Sequence, residues 1–218
     1  MTSNALHRFL IEPAAIAPDA VALTDAPTGA TTTRHELLEE AQAVARLLSK
    51  QGVVAEQRVV MCCADTKAFL AWFWGAMWIG AVPVPVSTML TAKDYKFLIE
   101  DSRAVGVTYS PVFSAAMNEA AVDQPFLEWM QVDEEIPDLV EEVDLGEPFP
   151  AVDDDIAFWL YTSGTTGFPK GAMHRHVDLG FCTDVYAKAV LEMGSNDVVY
   201  SVAKLFFAYG IGLSLIHI

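Results

Sequence analysis

The sequence has 218 residues, of which 53% are hydrophobic and 11% aromatic, and its formal net charge is −16. The apolar content is enough for a folded core and excludes an intrinsically disordered chain. Because so acidic a chain is repelled by a phosphate backbone, we expect no nucleic-acid binding.

The first half of the sequence alternates predicted strands and helices. Residues 21–23 and 58–63 are short apolar runs that are typical of strands. Thr33 and Glu36 have the spacing of a capping box. Apolar residues recur behind them at helical intervals, which predicts an amphipathic helix over residues 34–51.

An uncharged apolar stretch, residues 68–86, has about the length of a membrane span. Gly80, Pro83 and Pro85 interrupt its second half. The part that can be helical, residues 66–79, is only about 20 Å long and is shorter than the bilayer core. We therefore predict a buried helix, a turn and a buried extended segment, and a membrane span is the weakest alternative.

Three more elements follow in the same alternating order. Thr91 is predicted to cap a helix, and Pro111 is predicted to begin another. Residues 105–109 read as the strand between them. Strands separated by helices of ten or more residues favour a parallel sheet. We therefore predict an α/β fold with a parallel-rich sheet flanked by helices.

Residues 133–155 are acidic and contain three prolines, which indicates a connecting loop and makes them the best candidate for a subdomain boundary. They belong to a longer stretch between Glu119 and Asp155 with fourteen Asp and Glu residues and no Lys or Arg. We interpret this stretch as a solvated acidic face, because a metal site would need carboxylates that converge in space. No metal ligand is predicted.

The cysteines, Cys62, Cys63 and Cys182, do not form a recognisable pattern, since neighbouring cysteines rarely bridge and no Cys-x-x-Cys pair occurs. We expect a reduced protein without a structural disulfide or zinc site. The first ten residues have no apolar signal core, so we expect no secretion signal and a cytoplasmic location.

The strongest chemical signal is a Gly/Thr/Ser loop that follows an apolar strand, residues 156–161. The string YTSGTTGFPKG, residues 161–171, places Gly164, Gly167, four Thr and Ser hydroxyl groups and Lys170 within a few residues. Glycines allow close backbone approach, and successive N–H groups can point at one anion. The loop therefore predicts a polyphosphate site, although Pro169 before Lys170 distinguishes it from the Walker A pattern.

YTSGTTGFPKG closely resembles the signature loop of the adenylate-forming superfamily, which includes acyl-CoA synthetases, adenylation domains of peptide synthetases and luciferases. Within it, the chain looks most like the benzoate-CoA ligases. The closer match lies in AFLAWFWGAMWIGAVPVPVSTMLTAKDY (residues 68–95), in the loop as far as His176, and in AKLFFAYGIG (residues 203–212). The resemblance implies that residues 1–212 form part of an N-terminal AMP-binding domain.

The resemblance also implies a two-step reaction that uses ATP, Mg²⁺ and coenzyme A. An aromatic carboxylate attacks the α-phosphate of ATP, and the thiol of coenzyme A then displaces AMP. The phosphates would be held by Thr162, Ser163, Gly164, Thr165, Thr166, Gly167 and Lys170. The acid would be lined by Phe207, Ala208, Tyr209 and Gly210, where an aromatic wall suits a flat ring.

For two groups of these residues, a purely structural role remains open. The aromatic residues Phe206, Phe207 and Tyr209 would also suit simple core packing. His174 and His176 follow the loop, where the resemblance implies a role in positioning the next helix, and we assign neither of them a proton-transfer role.

Several parts of the resembling enzymes have no counterpart in this sequence, including the Mg²⁺-binding Glu, the ribose-binding Asp and the C-terminal lobe with its catalytic Lys. We therefore place no catalytic residue in the chain and expect it to form no thioester alone and to be poorly soluble. The last six residues, LSLIHI (213–218), resemble one reading frame of a transposon sequencing adapter, so we expect them to be an artefact, the alternative being a genuine apolar chain end. Other codons than CTG TCT CTT ATA CAC ATC would contradict this.

Other functions remain open at this stage. The chain could derive from a ligase for another acid, or from an adenylation domain that loads a carrier protein. It could also be a non-catalytic nucleotide-binding module with the same fold. The accepted ring substituents cannot be read from the sequence.

Overall fold

The structure, a computed structural model, describes residues 4–134, 144–162, 168–194 and 197–214. Of residues 213 and 214 it describes only the backbone. A π-helical turn, His7–Ile11, leads into helix α1, Glu12–Ile16. Strands β1, Val21–Thr24, and β2, Thr31–Thr33, then pair antiparallel, which confirms the first predicted strand.

Helix α2, Arg34–Lys50, begins at the capping box that the sequence predicts. The Glu36 N–H donates to the Thr33 hydroxyl at 3.2 Å, and the Thr33 N–H donates to the Glu36 carboxylate at 2.7 Å. Both donors would otherwise lack an intrahelical partner, so the box fixes where the helix starts.

The central sheet contains β3, Arg58–Cys62, β4, Val82–Pro85, β5, Gly106–Tyr109, and β6, Trp129–Val132. Within the described residues its order is β4-β3-β5-β6, and every pair is parallel, which confirms the predicted sheet. The chain moves from β3 to one side and then returns to the other side. The carboxyl ends of β3 and β5 therefore meet at a switch point, where open α/β sheets bind ligands.

Helices cover both faces of this sheet. Alternate residues of β3 point to opposite faces, because side chains in a strand alternate. Val59 and Met61 pack in the hydrophobic cluster that includes α2 and α3, Lys67–Trp78. Val60 and Cys62 pack in the cluster of α4, Ala92–Ser102, and α5, Ser114–Ala120.

The apolar stretch over residues 68–86 divides as predicted into helix α3, a turn at Gly80 and strand β4. Gly80 adopts the positive φ of 75° that ends the helix. Trp72 and Trp74 are fully buried, so core packing explains the aromatic residues of α3. Among the described residues, no helix has the length and apolarity needed to cross a membrane.

A further two-stranded sheet, which the sequence did not predict, is a hairpin of β7, Ile156–Thr162, and β8, Lys170–Arg175. Strand β7 lies against β4, and its side chains extend the hydrophobic clusters on both faces of the central sheet. Phe158 and Leu160 join the cluster of α2 and α3, while Trp159 packs on the opposite cluster. The sequence signalled β7 by its apolar run, but β8 alternates weakly and has little apolar content.

Apart from a 3₁₀ helix, Pro111–Phe113, directly before α5, the remaining described elements follow the hairpin. They are helix α6, His176–Cys182, a π-helical turn, Thr183–Lys188, and helix α7, Ala208–Ser214. The cysteines, all within the described residues, are free thiols, and Cys62 and Cys63 are buried. Four of the six residues of the suspected artefact, 215–218, lie outside the described residues.

The predicted subdomain boundary, residues 133–155, is described only in part. On its two sides, Phe73 of α3 and Phe158 of β7 lie in one hydrophobic cluster, with ring centroids 5.4 Å apart. Asn4 also donates to the Ala151 carbonyl at 3.1 Å. The boundary stays a prediction, and the core runs across it.

Candidate nucleotide and acid site

Hairpin β7–β8 carries the Gly/Thr/Ser loop at its tip. Thr162 and Lys170 are cross-strand partners at the two ends of the loop, and both are exposed. The predicted loop residues Ser163, Gly164, Thr165, Thr166 and Gly167 lie outside the described residues. The described part of the site therefore places one hydroxyl and one ammonium group at the mouth of the loop.

Helix α4 holds this hairpin at two points one helical turn apart. The Tyr161 hydroxyl donates to the Asp101 carboxylate at 2.7 Å. On the far side of the loop, the rings of Phe168 and Phe97 lie 5.9 Å apart. Burial, and then the hydrogen bond to Asp101, raises the pKa of Tyr161, so the phenol remains a donor. No local pattern in the sequence predicted either contact, because the partners lie about 60 and about 70 residues apart along the chain.

The two histidines after the loop contact other parts of the fold. The His174 ring stacks on Phe158 at 4.7 Å, and its Nδ1 lies 3.9 Å from an Asp178 carboxylate oxygen. His176 is buried, and its Nδ1 accepts from the Ala5 N–H at 3.3 Å. Burial lowers the pKa of both rings, which favours their neutral forms. Their roles toward a nucleotide stay a prediction.

Of the predicted acid-lining residues, Phe207 directly precedes helix α7, and Ala208, Tyr209 and Gly210 form the start of that helix. Phe207 is 47% exposed and Tyr209 is 62% exposed, whereas Phe206 is buried. Core packing therefore accounts for Phe206 but not for the other two rings. Ala208 is also exposed, and Gly210 is buried.

Gly210 is required by a close backbone contact. A Cβ added at this position would lie 2.1 Å from the Lys204 carbonyl oxygen. The same carbonyl accepts from the Phe207 N–H at 3.0 Å. The turn before α7 is thus folded tightly on the first turn of the helix, and the two exposed rings project from this turn.

Asp65, which the sequence analysis missed, contacts this turn. Its Oδ1 accepts from the Leu205 N–H at 3.0 Å, and its Oδ2 lies 3.2 Å from the Lys204 ammonium group. Asp65 lies three residues after the end of β3, at the carboxyl edge of the sheet. A charged residue shortly after a predicted buried strand is the signal that could have identified it.

The two predicted groups of site residues share one core but no direct polar contact in the described part of the chain. Leu160 next to the loop and Leu205 next to the acid segment lie in the same hydrophobic cluster. No hydrogen bond or ion pair among the described residues joins the two groups. Nor do those residues contain a cluster of three or more His, Cys, Asp or Glu side chains that could hold a metal ion.

A buried polar network lies at the carboxyl ends of β5 and β6. The Ser110 hydroxyl donates to Asp133 Oδ2 at 2.5 Å, and Ser110 Oγ accepts from the Ala64 N–H at 2.8 Å. Trp72 Nε1 donates to the Asp133 carbonyl at 3.0 Å. Asp133 Oδ1 has no hydrogen-bond partner among the described residues. Burial raises the pKa of Asp133, since a charged carboxylate is poorly solvated there.

Asp133 should make the stability of the protein depend on pH. The pKa of Asp133 is raised in the folded state. The stability that its protonated form contributes is therefore complete below the unfolded-state pKa of about 4, and it is lost as the pH rises through the folded-state pKa. We expect Asp133→Asn, which lacks this titration, to gain stability relative to the wild type between pH 4.5 and 7.5. Urea unfolding at several pH values, followed by tryptophan fluorescence, measures the difference. A constant difference, or one that falls with pH, would contradict this expectation.

This fold and loop define the class of protein. The sequence profile of the family described as AMP-binding enzyme matches residues 11–217, so the chain belongs to that family. The 4-hydroxybenzoate–CoA/benzoate–CoA ligase of Rhodopseudomonas palustris is 40% identical over 185 residues, which cover 81% of this chain and 34% of the relative. The benzoate–CoA ligase of Thauera aromatica is 38% identical over 175 residues, 76% of this chain and 32% of the relative.

Solved structures give the same result. A benzoate CoA ligase from Burkholderia xenovorans LB400 is 33% identical with a TM-score of 0.84, and the match covers 96% of this chain and 42% of that one. An anthranilate CoA ligase in complex with anthranoyl-AMP is 26% identical with a TM-score of 0.91, over 99% of this chain and 42% of that one. The chain therefore spans about a third of the length of these curated relatives.

Proposed function

We propose that this chain is part of an aryl-acid–CoA ligase, which joins benzoate or a substituted benzoate to coenzyme A with ATP cleaved to AMP and pyrophosphate. The observation that carries the proposal is the β7–β8 hairpin, which brings Thr162 and Lys170 to the mouth of the Gly/Thr/Ser loop. Relatives that are 40% and 38% identical and are named as benzoate–CoA ligases support the aromatic substrate class.

The chemistry divides into two steps. In the first, a carboxylate oxygen attacks the α-phosphorus of ATP, the bond to the β-phosphate breaks, and pyrophosphate leaves. In the second, the thiol of coenzyme A gives up its proton to solvent and its sulfur attacks the acyl carbonyl, and the bond from the acyl carbon to the phosphate oxygen breaks as AMP leaves with the bonding electrons. Both steps develop charge on phosphate oxygens, which positioned donors stabilise.

The loop and its flanks suit the first of these charges. The ammonium group of Lys170 and the hydroxyl of Thr162 can contact the β- and γ-phosphates, and the predicted loop N–H groups would complete the cradle. Mg²⁺, when bound, would neutralise part of the phosphate charge. Among the described residues, no three His, Cys, Asp or Glu side chains gather in a way that could hold it.

Phe207 and Tyr209 suit the acid. Their rings are exposed although they are large and apolar, which leaves faces free for a flat ligand. Gly210 keeps the backbone of α7 close to Lys204, and so holds the two rings in place. A cytoplasmic location of the protein is part of the same proposal.

The proposal is tested with the full-length protein encoded by the gene that contains this sequence. ATP–pyrophosphate exchange is measured with benzoate, 4-hydroxybenzoate, anthranilate and octanoate, and thioester formation by mass spectrometry after addition of coenzyme A. We expect kcat/KM for at least one aromatic acid to exceed that for octanoate by at least about tenfold.

Other outcomes identify other functions. Preference for octanoate would indicate a different acyl-CoA synthetase. Exchange without thioester formation, but with transfer to a carrier protein, would indicate an adenylation domain. ATP binding without exchange for any acid would contradict an enzymatic role altogether.

A further inference from the structure

The Asp65 carboxylate connects the sheet to the segment just before helix α7. One oxygen, Oδ1, accepts from the Leu205 N–H at 3.0 Å, and the other, Oδ2, lies 3.2 Å from Lys204 Nζ. The two contacts use both oxygens of a single side chain, and the partners lie about 140 residues further along the chain. A charged acceptor makes the backbone hydrogen bond stronger than a neutral one would.

The turn that carries Asp65 is fixed from behind. The Ala64 N–H donates to the buried Ser110 hydroxyl at 2.8 Å, and that hydroxyl donates to buried Asp133. The Thr66 N–H donates to the Ala64 carbonyl at 2.8 Å and closes the turn. Asp65 is therefore presented from the switch-point edge of the sheet by groups that cannot easily move.

The segment that Asp65 contacts sets the start of α7. The Lys204 carbonyl accepts from the Phe207 N–H at 3.0 Å, and the Phe207 carbonyl accepts from the Ile211 N–H at 2.9 Å. Gly210 packs so closely on the same Lys204 carbonyl that no Cβ fits between them. A shift of Lys204 and Leu205 would consequently move the first turn of the helix.

Together these contacts form one path from the sheet edge to the exposed rings. The path begins at Ser110 and Asp133, passes through Asp65 to the backbone of Leu205, and ends at Phe207 and Tyr209. No described polar contact of Asp65 reaches Thr162 or Lys170 at the phosphate loop. A change at Asp65 should therefore affect one half of the site only.

We infer that Asp65 is a positioning residue for the acid-binding segment, and that it sets the affinity for the aromatic acid without contributing to phosphate binding. The inference rests on the proposed function in that it takes Phe207 and Tyr209 as the wall of the acid pocket. Asp65 acts through the backbone of Leu205 and the side chain of Lys204 and does not contact the acid itself.

The test uses three variants of the full-length protein and one control. Asp65→Ala removes both contacts, Asp65→Asn keeps an acceptor for the Leu205 N–H, and Lys204→Met removes only the ion pair. Asp19→Ala removes an exposed carboxylate elsewhere on the chain. We expect Asp65→Ala to raise KM for the aromatic acid by about tenfold, and Asp65→Asn and Lys204→Met by about threefold or less. KM for ATP should stay within about twofold of the wild type, since a positioning role does not extend to the phosphate loop.

A second readout does not require activity. Hydrogen exchange measured by mass spectrometry should be faster in Asp65→Ala for peptides that cover residues 203–212, and unchanged for residues 170–175. Partial protection in Asp65→Asn would show that the carboxamide oxygen replaces the acceptor.

Two results would overturn the inference. The first is an unchanged acid KM together with unchanged exchange over residues 203–212. The second is a parallel rise in KM for ATP and for the acid, which would indicate a general structural effect. If Asp65→Ala does not fold, Asp65→Asn and Lys204→Met decide instead, and unchanged hydrogen exchange over residues 203–212 in both variants, or a parallel rise in KM for ATP and for the acid, would overturn the inference. Failure of the proposed function would be seen separately, because the wild type would then show no ATP–pyrophosphate exchange with any aromatic acid. Hydrogen exchange over residues 203–212 would still decide the role of Asp65.

Discussion

Replacement of Lys170 by alanine in the full-length protein is expected to lower kcat/KM for ATP in pyrophosphate exchange by about 10- to 100-fold. Lys170 is exposed and stands opposite Thr162 at the mouth of the loop, so its ammonium group is free to contact phosphate. A hydrogen bond to a charged group contributes about 1.5–3 kcal/mol, which corresponds to this range. Because the side chain is exposed, thermal stability should change little.

The controls for this prediction separate charge at the loop from charge in general. Lys170→Arg keeps the positive charge and should retain more activity than Lys170→Ala, although the planar guanidinium has a different geometry. Lys93→Ala removes an exposed ammonium group from the first turn of α4 and should leave kcat/KM unchanged. A loss of less than about twofold in Lys170→Ala would contradict the proposed phosphate contact.

Replacement of Gly75 by alanine is expected to destabilise the protein by about 1–3 kcal/mol. Gly75 lies within α3, where the helix crosses α2 so closely that an added Cβ would be 2.6 Å from the Ala41 carbonyl oxygen and 2.7 Å from Val44 Cβ. The first of these atoms belongs to the backbone, so the clash can be relieved only by moving a helix. Within a helix, Gly→Ala ordinarily stabilises by about 1 kcal/mol, and the expected sign is therefore reversed here.

Gly212→Ala is the matched control for this substitution. Gly212 lies in helix α7, and an added Cβ would meet only Cys182 Sγ at 3.7 Å, an ordinary contact distance. It should be neutral or slightly stabilising. Urea unfolding followed by tryptophan fluorescence compares the two, and equal effects of the same sign would show that close packing of α2 on α3 does not decide the outcome.

Local patterns in the sequence were sufficient for most of the first half of the fold. The capping box at Thr33 and the helix behind it depend on contacts between residues three or four positions apart. The parallel sheet was predicted from the alternation of strands and helices. The loop after β7 was predicted from its Gly, Thr and Ser residues, a combination that few other kinds of structure require. For such features, each chemical cause lies within a short window of the chain.

Contacts between distant segments were not predicted. Strand β8 pairs with β7, but its own residues alternate too weakly to show it. The links from Tyr161 to Asp101 and from Asp65 to Leu205 join positions about 60 and 140 residues apart. Nothing in either local sequence specifies the partner, since any exposed carboxylate could accept such a hydrogen bond.

By itself, the sequence of this protein determined its α/β class, its membership in a family of AMP-binding enzymes and the loop that we propose as a polyphosphate site. Only the tertiary structure decided how that site is held. It showed that α4 supports the hairpin, that Phe207 and Tyr209 stay exposed while Phe206 is buried, and that Asp65 reaches the acid segment. The physical reason is that residue type and spacing record local chemistry, whereas orientation depends on which distant side chains the folded sheet brings within hydrogen-bond reach.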